Sequence, residues 1–482
     1  MQAHLRARLR GLSLGALVLG CCWSAEKSCP AQDPPRQDTR IERGRELFVH
    51  EWVAGDLLAG GGDGLGPVYN AVSCAACHKL GGMGGAGPAE NNVNVLSVVP
   101  PVRQIGGKRS RPLAPITERL SQAHPGLTPQ SPSLVLHHFG PGAEYEDLRT
   151  RLVGDEAPFN QAPPGRQAVT LRAARGRIDS RPFVRRLSPV EGLSLALSQR
   201  NTPPLFGAGL IDTVVEVDLE EIAADQRRRF TSVSGRIPRA NQGGVGRFGW
   251  RGQTATLRDF VLGACANELG LTAPGHQQPS VPHDPDYWSY GLDLSHDQCD
   301  DLVAFVAALP APRQVIPDDR RQAKMVEVGE RYFDQIGCSD CHRRDVGAVE
   351  GIYSDLLLHD MGPALDDPTP ANPSSLSDPG TTGVVLGSYY GAPMPLLARV
   401  SDPVRQEWRT PPLWGVRDSE PYMHDGRAPT IEDAIEQHGG EAMAAAVRYR
   451  KLTSGQRSRV LMFLNTLAAP EVKEEGGGRK EE

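Results

Sequence analysis

The sequence predicts a mainly α-helical chain built as two similar halves, with long irregular loops and a loop-rich insertion in the first half. Three observations carry that expectation. The stretch "SCAACHK" beginning at Ser73 returns 264 positions later as "GCSDCHR". Each copy follows an amphipathic helical pattern, and each half closes on another such pattern. The 53 glycines and 41 prolines among 482 residues imply long loops, and an apolar fraction of only 39% suggests that something besides side chains fills the interior. A chain of this length favours two domains.

The chain opens with Arg6, Arg8 and Arg10 ahead of an apolar run from Leu12 to Cys22, the pattern of an export signal and too short for a membrane span. "VLGC", ending at Cys21, resembles a lipoprotein processing site, while Ala25 or Ala31 would end an ordinary signal. Residues 1–38 are therefore read as signal peptide and linker, with the protein exported to the periplasm or cell envelope. Membrane attachment is expected only through an N-terminal lipid at Cys21. The 52 basic and 58 acidic residues are well mixed, with a net charge of −6, so nothing points to nucleic acid as a partner.

The first half follows, read as 39–311. In "DTRIERGRELFVHEW", Thr39 and Glu42 form a capping-box pattern, and Ile41, Gly44, Phe48 and Trp52 mark one helical face. The motif Cys74/Cys77/His78 comes next. Positions i, i+3 and i+4 share a helical face, so two thiols and an imidazole are presented together. Covalent attachment of haem c needs that arrangement, with two thioether links and the histidine as axial iron ligand. Chance predicts on the order of 0.005 such motifs in a chain of this composition. Zinc and a thiol redox pair are the chemical alternatives, but no further Cys or His stands near either motif to close a zinc site.

The segment from about 95 to 195 is an insertion: 124 positions separate His78 from Thr202, against 68 from His342 to Thr410. It reads as loops with a few short strands, and its arginines are available for haem propionates, for a docking face or simply for solvent. "RNTPPLFG" at Arg200–Gly207 is echoed by "RTPPLWG" at Arg409–Gly415. "TLRDF" from Thr256 is echoed by "TIEDA" from Thr430, and both threonines read as helix caps. Phe305 and Leu309 close the first half as Phe463 and Leu467 close the second.

The second half, read as 312–469, runs through Met325, Gly329, Phe333 and Ile336 on one helical face to Cys338/Cys341/His342. The tail 470–482 is charged and glycine-containing and reads as disordered. Cys265 and Cys299 are available for a disulfide, which the sequence leaves undecided.

The duplication gives a register for the sixth iron position, which separates electron transfer from chemistry on a bound molecule. Eight residues after the capping threonine the second half carries His438 and the first carries Ala264. By this register the second haem is closed by a histidine and the first is open. Met361, Met394, Met423, His359 and His424 compete for the second iron, and His137, His138, Cys265 and Met83 for the first. Glu268, in the apolar run "LGACANELGL", is either solvent-facing or a distal acid–base group able to carry a proton between the oxygens of a peroxide.

Across about residues 40–468 the chain resembles the di-haem oxidoreductases of peroxidase type, also called thiol oxidoreductase-like, and more distantly the bacterial di-haem cytochrome c peroxidases. The resemblance rests on "GLGPVYNAVSCAACH", "RNTPPLFGAGLID", "GRFGW", "ANELGL", "YSDLLLHDMGP", "RTPPLWG", "PYMHDGRAPT" and "HGGEA". It implies two cytochrome c-like domains and electron transfer from a C-terminal haem to an N-terminal one that reduces peroxide or a similar small oxidant. Trp250 matches the family's tryptophan between the haems and Glu268 its distal glutamate. His438 departs from the methionine of the cytochrome c peroxidases, and so puts a high-potential cytochrome c in doubt as the redox partner protein. The resemblance also implies a calcium ion near Ser419 and Pro421. A pure electron carrier, or oxidation of a sulfur compound, are the rival functions.

Overall fold

The structure is a computed structural model. It describes residues 37–99, 115–129, 132–153, 185–187, 189–190, 192–240, 243–282, 284, 286–367 and 406–470. The expected leader with Cys21, the tail from 471 onward and Met394 lie outside these residues. The described chain is mainly helical, with few strands and many loops, and residues from Gln37 onward form one compact unit. No helix among the described residues is long and apolar enough to cross a membrane.

The duplication is visible as two helix crossings. α1 (Gln37–Val49) packs against the helix His296–Ala308, and the helix Arg320–Gln335 packs against the helix Ser454–Leu464. Each crossing is close because a glycine faces backbone. A Cβ on Gly44 would stand 2.0 Å from Asp301 O and 2.7 Å from Phe305 Cβ, and one on Gly329 1.9 Å from Arg459 O and 3.1 Å from Phe463 Cβ. The same Gly-on-Phe contact therefore builds both cores. The buried stripe before the second motif is Val326, Gly329 and Phe333, with Met325 only half-buried, one position off the expected face. Thr39 lies inside α1, which begins at Gln37, so it does not cap the helix as its spacing to Glu42 suggested.

The two halves also meet reciprocally. Gly207 sits against the Trp414 ring, and Gly415 faces Phe206. Both glycines hold left-handed backbone, with φ of 69° and 67°, where a side chain would be strained.

The described part of the insertion holds two helices besides the expected short strands. Strands β1 (Val93–Val99), β2 (Ser133–Leu136), β3 (Arg185–Arg186) and β4 (Ser194–Arg200) form an antiparallel sheet in the order β2-β1-β4-β3. Two helices, α2 (Ile116–Ala123) and α3 (Gly142–Val153), cover it with their own core of Leu96, Leu120, Leu136, Leu148 and Leu197. β4 leads straight into "RNTPPLFG", so the sheet anchors one wall of the site. A two-stranded ribbon, β5 (Leu358–Asp360) with β6 (Glu407–Arg409), plays the matching part in the second half.

Candidate functional site

Both motifs lie on short turns, Cys74–Cys77 and Cys338–Asp340, and each opens on a cavity. The turns are fixed by local bonds: Ser73 Oγ caps the first from Ala76 N, and the left-handed Gly337 starts the second. The larger cavity, about 530 Å³, is lined by Cys338, Cys341, His342, His438, Trp250, Trp408, Arg409 and Trp414. The smaller, about 90 Å³, is lined by Cys74, Cys77, His78, Ala264, Cys265, Glu268 and Trp250. Trp250, Asn201 and Pro203 belong to both and form the partition between them.

The chemistry of these groups separates the candidate cofactors. Burial pushes the thiols of Cys74, Cys77 and Cys338 up to about 12, and raises Cys341 as well. A thiol redox pair needs the opposite shift. Carbonyl oxygens can only accept, so Nδ1 donates from His78 to Gly85 O (3.1 Å), from His342 to Tyr353 O (2.9 Å) and from His438 to Ala434 O (2.7 Å). Each donation leaves Nε2 as a lone pair, the orientation of a metal-binding imidazole. Burial lowers all three, His78 and His342 to about 4, which keeps them neutral.

The rings of His342 and His438 stand 6.4 Å apart, centre to centre. A metal–imidazole bond is about 2.0–2.1 Å and the ring centre lies about 1.1 Å beyond the nitrogen, so two imidazoles on one ion stand about 6.3 Å apart. One ion fits between them. Among the described residues, Nη1 of the buried Arg409 guanidinium has no hydrogen-bond partner, and the Trp414 indole N–H likewise has none. Both line the same cavity, as sites for a carboxylate-bearing ligand would. Haem thus fits the second motif by donor set, spacing and unmet polar groups. At the first motif the donor set is the same, and the walls stand closer together.

The competing ligands differ in placement, some engaged by other groups and some lining a cavity. His359 bonds Asp355 through Nε2 (2.8 Å) and Glu441 through Nδ1 (2.7 Å). Burial opposes its charge, but the two carboxylates win and hold it as an imidazolium, raised well above the usual range. The convergent His/Cys/Asp/Glu group among the described residues, Cys341, Asp355 and His359, offers three ligands, one short of a closed structural zinc site. His424 stacks on Trp408 at 3.5 Å. Met361 and Met423 line the larger cavity. Near the first motif, His137 Nε2 bonds Asn267 O and the His138 amide bonds Asn70 Oδ1, and neither histidine lines the cavity. Met83 packs on the first core, and Cys265 lies beside Ala264. Cys265 and Cys299 are free buried thiols, so the disulfide left undecided by the sequence is absent.

Thr256 and Thr430 cap their helices, accepting from Asp259 N and Asp433 N, both at 3.1 Å. The register built on them brings Ala264 to the first cavity and His438, just beyond the helix Ile431–Glu436, to the second. Glu268 is half-buried in the first cavity, its Oε2 accepting from Asn70 Nδ2 at 2.5 Å. Trp250 Nε1 donates to Asn201 O at 2.9 Å. Ser419 and Pro421 line the larger cavity, where Ser419 Oγ donates to Gly415 O; no convergent acidic cluster surrounds them among the described residues. Sequence reading missed Arg409, Trp414 and the Trp408–His424 stack, although "RTPPLWG" and "PYMHDGRAPT" contain all but Trp408.

The family model described as "di-haem oxidoreductase, putative peroxidase" matches residues 190–374 and 401–467. It covers Trp250, Glu268 and the second motif, and begins after the first motif, so it is narrower than the 40–468 span of the resemblance. No curated protein matches the chain. Among solved structures, hydrazine synthase of Kuenenia stuttgartiensis, pressurised with xenon, is similar at 20% identity over 56% of this chain and 73% of that one, with a TM-score of 0.29. A MauG-like protein associated with microbial copper homeostasis is similar at 16% identity over 53% of this chain and 90% of that one, with a TM-score of 0.27.

Proposed function

The chain belongs to the di-haem oxidoreductase family, and from that premise we propose that it is an exported c-type cytochrome of two cytochrome c-like domains, 39–311 and 312–469, that passes electrons from its second half to its first to reduce a peroxide or similar small oxidant. Cys74, Cys77 and His78 would hold one haem, by thioether links and an imidazole, and Cys338, Cys341 and His342 would hold the other. When bound, each haem supplies an iron that exchanges one electron at a time. A redox partner protein delivers the electrons.

The chain's own residues then divide the work. His438 closes the second site against small molecules by occupying the position opposite His342. Ala264 leaves the equivalent position in the first half without a ligand. Glu268, held by Asn70, stands ready to accept a proton from one oxygen of a bound peroxide and return it to the other. Trp250, in the wall common to both cavities, offers an aromatic path between the halves.

The observation that carries this reading is the asymmetry itself: His342 faces His438 at 6.4 Å, whereas the cavity of His78 has Ala264 and Glu268. Electron paramagnetic resonance of the oxidised protein tests it. One low-spin and one high-spin haem are expected, the latter binding cyanide or azide. Two low-spin haems that stay so on reduction would instead make the protein an electron carrier.

A further inference from the structure

The repeat places an arginine at the head of each "TPPL" segment, and the two arginines differ in what balances their charge. Arg200, at the end of β4, is buried and pairs with Asp367 at 2.7 Å. Arg409, at the end of β6, is equally buried, but among the described residues no carboxylate lies within 4.0 Å of it. Its Nε donates to Gly249 O at 2.9 Å, and Nη1 has no partner among the described residues. Asp355, the acidic group acting on it through space, is itself taken up by His359 and Gln226. A buried guanidinium left without an anion is strongly unfavourable, so a native protein that keeps one provides the anion from elsewhere.

The second donor lies in the same segment. Trp414 Nε1, five residues on, is also buried without a partner among the described residues, and both side chains line the larger cavity with Cys338 and His342. We propose that Arg409 and Trp414 together receive a haem carboxylate in the second site, with Arg409 supplying its counter-charge. The inference rests on the second motif holding haem. Burial pushes Arg409 down to about 10 despite the opposing charge of Asp355, and a carboxylate at Nη1 would reverse that push. Arg409 is also a positioning residue for the partition: its amide donates to Trp250 O at 2.9 Å, so the side chain that grips the carboxylate is tied to the tryptophan common to both cavities.

The test is spectroelectrochemical titration of the purified holoprotein, following the low-spin haem between pH 6 and 9. In Arg409→Gln its midpoint should fall and depend more steeply on pH, because the carboxylate loses its fixed cation. Arg409→Lys should lie between Gln and wild type. Trp414→Phe, which keeps the ring and removes the N–H, should shift the midpoint less and in the same direction. An Arg409→Gln protein carrying both haems with an unchanged midpoint overturns the proposal. Should that variant fail to load haem, resonance Raman of Arg409→Lys and Trp414→Phe decides: the propionate-bending band should move, and an unmoved band overturns it. A wild-type midpoint that shifts saturably with added chloride or phosphate would assign the site to a free anion and overturn it as well. The underlying reading fails separately, if replacing both Cys338 and Cys341 by alanine leaves two covalent haems per chain by pyridine haemochrome.

Discussion

Gly329→Ala is the sharpest test of the architecture. The added Cβ would meet Arg459 O at 1.9 Å, where carbon and carbonyl oxygen normally stay about 3.3–3.6 Å apart. The helices Arg320–Gln335 and Ser454–Leu464 must therefore part by roughly 1.5 Å. Overpacking of this kind costs about 1–3 kcal/mol, and the obstacle here is backbone, which cannot swing aside. Alanine returns at most about 1 kcal/mol through helix propensity. Parting the helices also loosens Phe333 against Phe463, whose ring centres lie 5.3 Å apart. A net loss of about 2 kcal/mol follows, which for one compact unit of this size is a fall of roughly 2–3 °C in Tm. Urea unfolding of the holoprotein, followed by circular dichroism, measures it. Gly44→Ala, with Asp301 O at 2.0 Å and Phe305 Cβ at 2.7 Å, should lose a similar amount. Stability within about 0.5 kcal/mol of wild type for Gly329→Ala would refute the reasoning.

His438→Ala should convert the low-spin haem to high spin without changing the covalent haem count, read by absorbance and paramagnetic resonance; if neither haem changes, the register from Thr430 is wrong. Glu268→Gln should lower peroxide turnover by about 10²–10⁴-fold with normal haem loading, and undiminished turnover would remove Glu268 from the mechanism. The pH dependence of stability has an assignable component in His137, buried and pushed down to about 4 by burial. The unfolded chain binds this proton near pH 6.5 and the folded one only near 4, so stability falls as pH drops through that window. At pH 5 the loss from this one group is about 2 kcal/mol. His137→Gln should flatten the urea midpoint between pH 7 and 5 by that share, and an unchanged acid limb would exclude it.

Local patterns made much of this site readable. The two Cys-x-x-Cys-His turns and the capping threonines are set by spacing along one short stretch of chain, which the sequence states directly. The register from Thr430 brings His438 to the wall of the larger cavity, facing His342, for that reason. What could not be read depends on distant partners. Whether an arginine in "RNTPPLFG" or "RTPPLWG" is balanced depends on Asp367 arriving beside Arg200 and on nothing similar arriving beside Arg409. The insertion sheet was hidden for another reason. β4 reads "SLALSQR" and is buried on both faces after its first residue, so the polar–apolar alternation that marks a half-exposed strand is missing. Met325 for Val326 was a one-residue slip, a turn of about 100° around the helix.

The pattern of differences between the halves bears on how a duplicated fold can divide its labour. Both motifs present the same two thiols and the same imidazole, each imidazole fixed by a backbone carbonyl. Nothing in the motifs themselves can therefore distinguish the irons. The distinction lies on the opposite walls, Ala264 against His438, and in the charges around them, Glu268 at one cavity and the unbalanced Arg409 at the other. These positions lie outside the motifs, and the handles keep their form while the walls diverge. In the proposed assignment, a coordinating histidine and a nearby cation tune the second site for holding and releasing electrons. A missing ligand and a carboxylate tune the first for chemistry. The partition of Trp250, Asn201 and Pro203 belongs to both walls at once. A single substitution there would touch both sites together.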